Sequence, residues 1–428
     1  MPARLEGVVG ELRASFRELK EIFRGNIASI AISWFLFNLT GSLINPFFAK
    51  YAKDLGAGDY EVALMRSLGL LALALSLVPG GVLTDLLGRV KVILVGTGLI
   101  TISQFLYALA PDWRWLTIVY VFDNAAHFYV PALTAIVMDS LRRGKEFKGF
   151  LALNIVTSIP GLFMPIVGGY LYQTIGSLGI RYGFVLQGFV ALSVLILRIK
   201  TLRETFKPVD KDLGRIILEL AGYRGVLTKA LKLYLFTSIL WQITHGLPNT
   251  YMAIYIIDYL RVSPTTWGAL SSIATLGVIS SSILLAGRDV DVERWAARCA
   301  LVISSTLLVY AALPSIGGSH LVLVILLSTS LSSSIASNIL NSSLSTLQTR
   351  MLPPEIRGRA VGIQRVLDNL GAAAGALVAG VLYTSLGFEL SFTFSGVMGL
   401  VSTAYLYTIT SPRQPRARLE RRGPGEQL

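Results

Sequence analysis

Few side chains in the apolar stretches of this 428-residue sequence can carry a charge or a proton, and their spacing is informative. Asp123 and His127 stand four residues apart in the apolar stretch 114 to 140. Residues so spaced share one face of a helix, and a carboxyl beside an imidazole can accept and relay a proton near neutral pH. Arg66 lies about six residues into the stretch 60 to 79, and Asp123 about nine into its own. At ~1.5 Å per helical residue the two sit at comparable depth, and an ion pair is predicted, because a charge in an apolar surrounding needs a partner. A second pair is predicted between Arg365 and Asp368, with Asn369 following. Amides and one further imidazole complete the set: Asn38, Asn45, Asn124, Gln242, His245, Asn249, Asn338 and Asn341 are candidates for touching a solute. His245, flanked by Gln242 and Asn249 on its helix face, is the leading one, with Trp34, Phe37, Trp241 and Tyr251 as aromatic neighbours that stack on an organic ring. For each of these groups a purely structural role, bonding one helix to the next, is the competing reading.

The elements that must hold these residues follow from composition. Of the chain, 53% is apolar and only 15% charged, with a mean hydropathy of +0.62, whereas soluble domains carry about 25% charged residues. The chain is therefore read as an all-α, multi-pass membrane protein. A span needs ~20 mostly apolar residues, and twelve segments qualify: 27 to 49, 60 to 79, 91 to 110, 114 to 140, 150 to 172, 180 to 199, 231 to 257, 265 to 286, 295 to 313, 320 to 348, 360 to 384 and 389 to 410. Basic residues concentrate in alternate connections, as membrane orientation requires. With the N-terminus inside, all but seven of the 38 Lys and Arg residues fall on the cytoplasmic side. Five lie on the opposite side (Lys50, Lys53, Arg114, Arg181 and Arg261), and Arg66 and Arg365 fall within spans. Both termini are thus expected in the cytoplasm, and the net charge of +13 reflects topology rather than nucleic-acid binding.

Residues 1 to 26 lack the layout of a cleavable signal. Leu5, Val8, Val9, Leu12, Phe16, Leu19 and Phe23 recur at helical spacing among charges, which reads as an interfacial amphipathic segment. The remaining division is a bundle over 27–199, a cytoplasmic linker over 200–230, a second bundle over 231–410 and a basic tail over 411–428. One cysteine, Cys299, rules out an internal disulfide, a thiolate zinc cluster and a dithiol redox pair. No metal or cofactor is expected, and the chain is expected to work as a monomer with a small molecule, protons and the bilayer as partners.

The halves repeat. At an offset of 204 residues, Asn38, Asn45, Tyr51 and Asp54 align with Gln242, Asn249, Tyr255 and Asp258; at 211, Gly169-Tyr-Leu-Tyr172 and Gly176 align with Gly380-Val-Leu-Tyr383 and Gly387. Repeats of this kind mark transporters with a site at the midplane between halves. The polar residues agree, because they concentrate in the first, fourth, seventh and tenth spans, which should line a central cavity. The third, sixth, ninth and twelfth spans are expected to face lipid or to support.

Between the second and third spans the sequence reads Gly80-Gly-Val-Leu-Thr-Asp-Leu-Leu-Gly-Arg-Val-Lys91. This resembles the GxLaDrxGrk loop of the major facilitator superfamily, with Gly81, Leu83, Asp85, Gly88 and Arg89 filling the pattern and Val90 departing from it. The resemblance covers residues 27 to 410 and implies twelve helices in two pseudo-symmetric six-helix bundles. It also implies that Asp85 latches near Arg359 at the start of the eleventh helix and that Arg89 pairs with Asp139. The corresponding loop of the second half, Gly287-Arg-Asp-Val-Asp291-Val-Glu-Arg294, is a degenerate copy. In the fifth span, Gly161-Leu-Phe-Met-Pro165-Ile-Val-Gly168-Gly169 resembles the gxxxGPxxGG motif of drug:proton antiporters, with Pro160 and Met164 where glycines are usual. No basic residue stands near Val119 to Phe122, where those antiporters carry an arginine.

The function implied is secondary active transport, with proton-coupled efflux of a small organic solute favoured. Asp123, His127 and Asp368 are the candidate proton carriers, and Gly81, Asp85, Gly88, Arg89, Asp139, Arg359, Arg66 and Arg365 the candidate latches and gates. Import of a sugar, nucleoside or carboxylate by symport or uniport is the alternative, and a transporter-like receptor without flux a third. An intramembrane transferase would need clustered acids for a metal diphosphate, and Asp123 has none nearby. No GxxxxGK[ST] loop exists to drive transport with ATP.

Overall fold

The computed structural model describes residues 23–141, 146–205, 231–285, 291–316, 318–351 and 354–410. The amphipathic stretch up to residue 22, the linker 206–230, the degenerate loop 286–290 and the tail 411–428 lie outside the described residues. The first half contains α1 (Asn26–Asp54), α2 (Asp59–Leu87), α3 (Arg89–Ala108), α4 (Trp113–Ser140), α5 (Gly149–Ile175) and α6 (Ser177–Thr201). The second contains α7 (231–259), α8 (Pro264–Leu285), α9 (Val292–Ser315), α10 (Ser319–Met351) and α11 (Pro354–Thr410).

Among the described residues, ten helices are long and apolar enough to cross a membrane. Two regions differ in form from the spans read off the sequence. Helix α7 carries π-helical turns at Phe236–Leu240 and Tyr255–Tyr259 on either side of Trp241–Ile254. Helix α11 includes a 50-residue apolar run, Val361–Thr410, which at ~1.5 Å per residue is ~75 Å long, more than twice a ~30 Å hydrocarbon core. Gly387, at φ 75° and ψ −179°, breaks it into two limbs; only glycine takes up such a conformation without strain.

Several helices are irregular where prolines fall. Pro131 has no N–H and its ring crowds the carbonyl four residues earlier, that of His127, and the turn His127–Tyr129 is accordingly 3₁₀ rather than α. Pro46 and Pro160 lie in similar turns at Asn45–Phe47 and Ile159–Leu162. Helix α2, in contrast, runs through Pro79 to Leu87. The glycine-rich motif is therefore the last turns of a helix rather than an open loop, and only Gly88, at φ 88°, makes the corner into α3.

The two halves share an internal scaffold. Tyr51 of α1 donates to the carbonyl of Tyr107 in α3 at 3.2 Å, and Tyr255 of α7 donates to that of Tyr310 in α9 at 2.6 Å. Phe184 of α6 packs on Tyr51 and Tyr107 at ring separations of 5.8 and 4.8 Å. Phe392, in the second limb of α11, packs on Tyr255 and Tyr310 at 4.7 and 5.8 Å. Each half thus closes on a buried three-ring core joining equivalent helices.

Polar contacts tie the halves together at one end. Lys50 lies between Asp54 and Asp258, at 2.7 and 3.5 Å. Trp267 of α8 donates to the Pro46 carbonyl at 2.7 Å, Tyr251 of α7 to the Asp59 carbonyl at 2.5 Å, and Thr265 to Gln173 at 2.6 Å. Backbones also approach closely, both between the halves and within the second half. A Cβ at Gly268 of α8 would run into the Pro165 carbonyl of α5, and one at Gly246 of α7 into the backbone of Gly375 in α11.

Candidate substrate cavity

Two adjoining cavities share part of their walls. One, of about 460 Å³, is enclosed by the first half and is lined by Trp34, Phe37, Asn38, Asn45, Arg66, Gln104, Asp123, His127 and Gln187, among others. The other, of about 380 Å³, lies between the halves and is lined by Asn45, Phe48, Arg66, Tyr120, Asn249 and Trp267, among others. Asn45, Phe48, Arg66 and Tyr120 border both. Both volumes fall in the ~300–1,000 Å³ range of small-molecule sites.

Asp123 is held by α3. Its carboxylate accepts from the Ser103 hydroxyl and, at 3.2 Å, from the Gln104 amide. The predicted ion pair with Arg66 is not formed. The hydroxyl and amide of α3 satisfy the carboxylate oxygen that the guanidinium was expected to take, although both charged groups line the same cavity. His127 follows one turn later, its Nδ1 2.7 Å from the Asp123 backbone carbonyl, in the turn loosened by Pro131. Arg66 makes no ion pair or hydrogen bond with a described residue.

The assignment of the third and sixth spans to lipid-facing or supporting roles therefore changes. Gln104 of α3 and Gln187 of α6 both line the first cavity. Helix α6 also supplies Arg198, which the count of basic residues placed on the cytoplasmic side. It is instead fully buried. Its Nη1 donates to Thr97 at 2.6 Å and its Nε to Ser33 at 3.3 Å, while the guanidinium packs over the rings of Phe37 and Tyr129 at 5.7 and 5.9 Å. Its Nη2 is buried with no hydrogen-bond partner. Nothing local distinguishes Arg198 from the basic residues after it, because its burial is set by three other helices.

In the second half several of the candidate groups are engaged between helices. Asp368 accepts from Ser238 of α7 at 2.5 Å rather than pairing with Arg365, which is exposed. Asn338 spends its amide on α8, reaching the Val278 carbonyl and the hydroxyls of Ser281 and Ser282 at 3.3, 2.9 and 3.0 Å. His245 directs Nδ1 to the Trp241 carbonyl at 2.9 Å and packs its ring on Trp241 at 4.2 Å; its Nε2 is buried without a partner. Gln242 packs against Gly371 and Gly375 of α11. Tyr251 is buried in the contact with α2, away from both cavities. Asn341 is exposed on α10, and Asn249 reaches the cavity between the halves. In the first half, Asn38 and Asn45 line cavity wall, while Asn124 donates to the Tyr120 carbonyl at 2.8 Å.

At the opposite end from Lys50, Arg89 pairs with Asp139 of α4 and donates to Thr205 at 3.1 Å. The Val90 amide, in the first turn of α3, donates to Glu204 at 2.9 Å, which suits an anion at the positive end of a helix. The segment after α6 thus clamps the motif, a contact that the motif pattern does not contain. A Cβ at Gly81 would meet nothing within 4 Å, so close packing falls to Gly80, which abuts the Phe128 backbone. The side chains of Asp85 and Arg359 lie outside the described ones. The glycines of the α5 motif serve close approach, Gly168 to the Leu43 carbonyl and Gly169 to Pro264 and Thr265.

Known proteins place this architecture. The sequence pattern of the Major Facilitator Superfamily matches residues 30–345 and 246–427. The chain is 29% identical over 239 residues to the multi-drug resistance efflux pump PmrA of Streptococcus pneumoniae, covering 54% of this chain and 58% of the pump. It is 25% identical over 407 residues to the multidrug resistance protein MdtG of Citrobacter koseri, covering 91% and 96% of the two chains. The solved nucleoside transporter NupG superposes with a TM-score of 0.72 at 14% identity, over 90% of this chain and 99% of that one, which speaks to the fold. The match to the family pattern along nearly the whole chain, with apolar helices of spanning length and the same fold in a solved member, establishes that this chain belongs to the major facilitator superfamily of multi-pass membrane transporters, not to an enzyme family.

Proposed function

We propose that the chain is a secondary active transporter that exports a small organic solute across the cell membrane in exchange for protons. It alternates between two states in which the halves, six-helix bundles over 27–199 and 231–410 joined by a cytoplasmic linker, rock about the central cavities. Both termini face the cytoplasm, and the unit is a monomer. The observation that carries the reading is Asp123: a carboxyl in a cavity wall, held by the neutral donors Ser103 and Gln104 and not by a cation. Such a carboxyl can gain and lose a proton as the cavity opens to either side, because no fixed salt bridge locks it in the charged form. His127, one turn away and also in the wall, is placed to pass that proton on.

Solute contacts are assigned to the amides of the wall, Asn38, Asn45 and Asn249, with Trp34 and Phe37 stacking on the solute. The Lys50 cluster joins the halves at one end and the Arg89–Asp139 pair ties α3 to α4 at the other, and a ligand shifts the balance between states only by binding one better than the other. Export is supported by the relatives described as efflux and multidrug resistance proteins. The test is a proteoliposome assay with an imposed pH gradient and an internal pH dye. Proton movement opposite to solute movement is expected. Counterflow of a solute with no proton movement would remove Asp123 and His127 from coupling.

A further inference from the structure

We propose that Arg66 is an anion-binding site and that the transported solute is an aromatic or amphipathic organic anion, such as a ring-bearing carboxylate. The inference rests on the transport reading of the same cavities and names the class of solute. Arg66 borders both cavities, yet it has no counter-ion among the described residues. An unpaired charge inside a membrane protein is costly and marks a functional group whose partner arrives from outside the fold. Asp123, the one carboxylate residue bordering the first cavity, accepts from Ser103 and Gln104 at Oδ1 and forms no ion pair with Arg66. Behind the aromatic wall formed by Phe37 and Tyr129 lies Arg198, fully buried and also without a carboxylate partner. Two guanidiniums against one carboxyl leave the cavity electropositive whether or not Asp123 is ionised.

A planar guanidinium binds a carboxylate with two parallel hydrogen bonds. An anion on Arg66 would also sit where the cavities meet, among Phe48 and Tyr120 of the first half and facing Asn249 and Trp267 of the second. It would therefore touch both halves, which gives the bound anion leverage on their relative position.

The test is equilibrium binding to purified full-length protein in a non-ionic detergent, with 2-naphthoate, 2-naphthamide and 2-naphthylmethylammonium as probes. No flux is read, so a failure of anion preference is distinguishable from a failure of transport. The naphthoate is expected to bind about 10- to 100-fold more tightly than the amide, the usual worth of a charged hydrogen bond. Arg66→Lys should retain part of that preference, and Arg66→Gln should abolish it. Equal binding of the three probes, preference for the ammonium, no naphthoate binding, or a preference that survives in Arg66→Gln would each overturn the proposal. Should Arg66→Gln fail to purify as a monodisperse protein, the wild-type ratio and the Arg66→Lys ratio still decide it. Competition by phosphatidylglycerol that is tighter than that by unlabelled naphthoate would assign the site to a lipid headgroup and overturn the solute reading.

Discussion

The two halves of the molecule are alike in scaffold and unlike in chemistry. Tyr51, Tyr107 and Phe184 in the first half have direct counterparts in Tyr255, Tyr310 and Phe392 in the second, with the same tyrosine-to-carbonyl bond in each. The polar centres do not match. In the first half, Arg66, Asp123 and His127 open onto a cavity. In the second, Asp368 is bonded to Ser238, Asn338 to α8 and His245 to Trp241. The difference teaches that a duplicated packing core constrains little of what is built inside it. The conserved geometry is that of rings meeting backbone, whereas the side chains facing the interior are free to differ. The polar groups lining the cavities are thereby concentrated in the first half, and the second supplies one wall of the cavity between them.

The largest effect that tests this contrast is on Asp123. Asp123→Asn should reduce proton-driven solute movement by at least about 100-fold, the usual range for removing a positioned proton carrier, while counterflow without a gradient persists. Wild-type gradient-driven transport in that variant would break the comparison outright. Packing between helices comes next: Gly246→Val should destabilise the protein by about 1–3 kcal/mol, since its side chain would enter the backbone of Gly375. A lowered unfolding midpoint in detergent checks it, and an unchanged midpoint would mean that α7 and α11 separate readily. Tyr51→Phe and Tyr255→Phe should each cost about 0.5–1.5 kcal/mol, the net value of one hydrogen bond, and should be similar in size. A clear inequality in the same melting experiment would show that the twin cores are not equivalent. The smallest change is expected at Asp368→Asn, with the ratio of protons to solute unaltered and flux within about threefold. A loss of coupling there comparable with that of Asp123→Asn would return the second half to the proton path.

Much of the architecture was legible because it is written in local terms. Apolar runs of spanning length, the alternation of basic residues, the Gly81 to Arg89 motif and the repeat around Tyr51 and Tyr255 are properties of neighbouring residues. Asp123 and His127 were legible as a pair for the same reason, being one turn apart. The partners of these groups were not. Sequence reasoning joined Arg66 to Asp123 because opposite charges at equal depth attract, but Ser103 and Gln104 lie closer on α3. It counted Arg198 among the cytoplasmic basic residues, because burial by α1, α3 and α4 leaves no mark on the residues around it. It missed Glu204 and Thr205 as partners of the motif, since they are more than a hundred residues away in the chain.

What the sequence by itself determined, then, is that this is a helical membrane protein of duplicated plan with a few costly polar groups in its spans, because hydrophobic length and helical period act over tens of residues. Only the tertiary structure decided which of those groups meet and which face a cavity. Hydrogen bonds act over about 3 Å, and which side chains come that close is fixed by how helices distant in the chain rotate and pack, so the free guanidinium of Arg66 and the buried one of Arg198 emerge only when the helices are assembled.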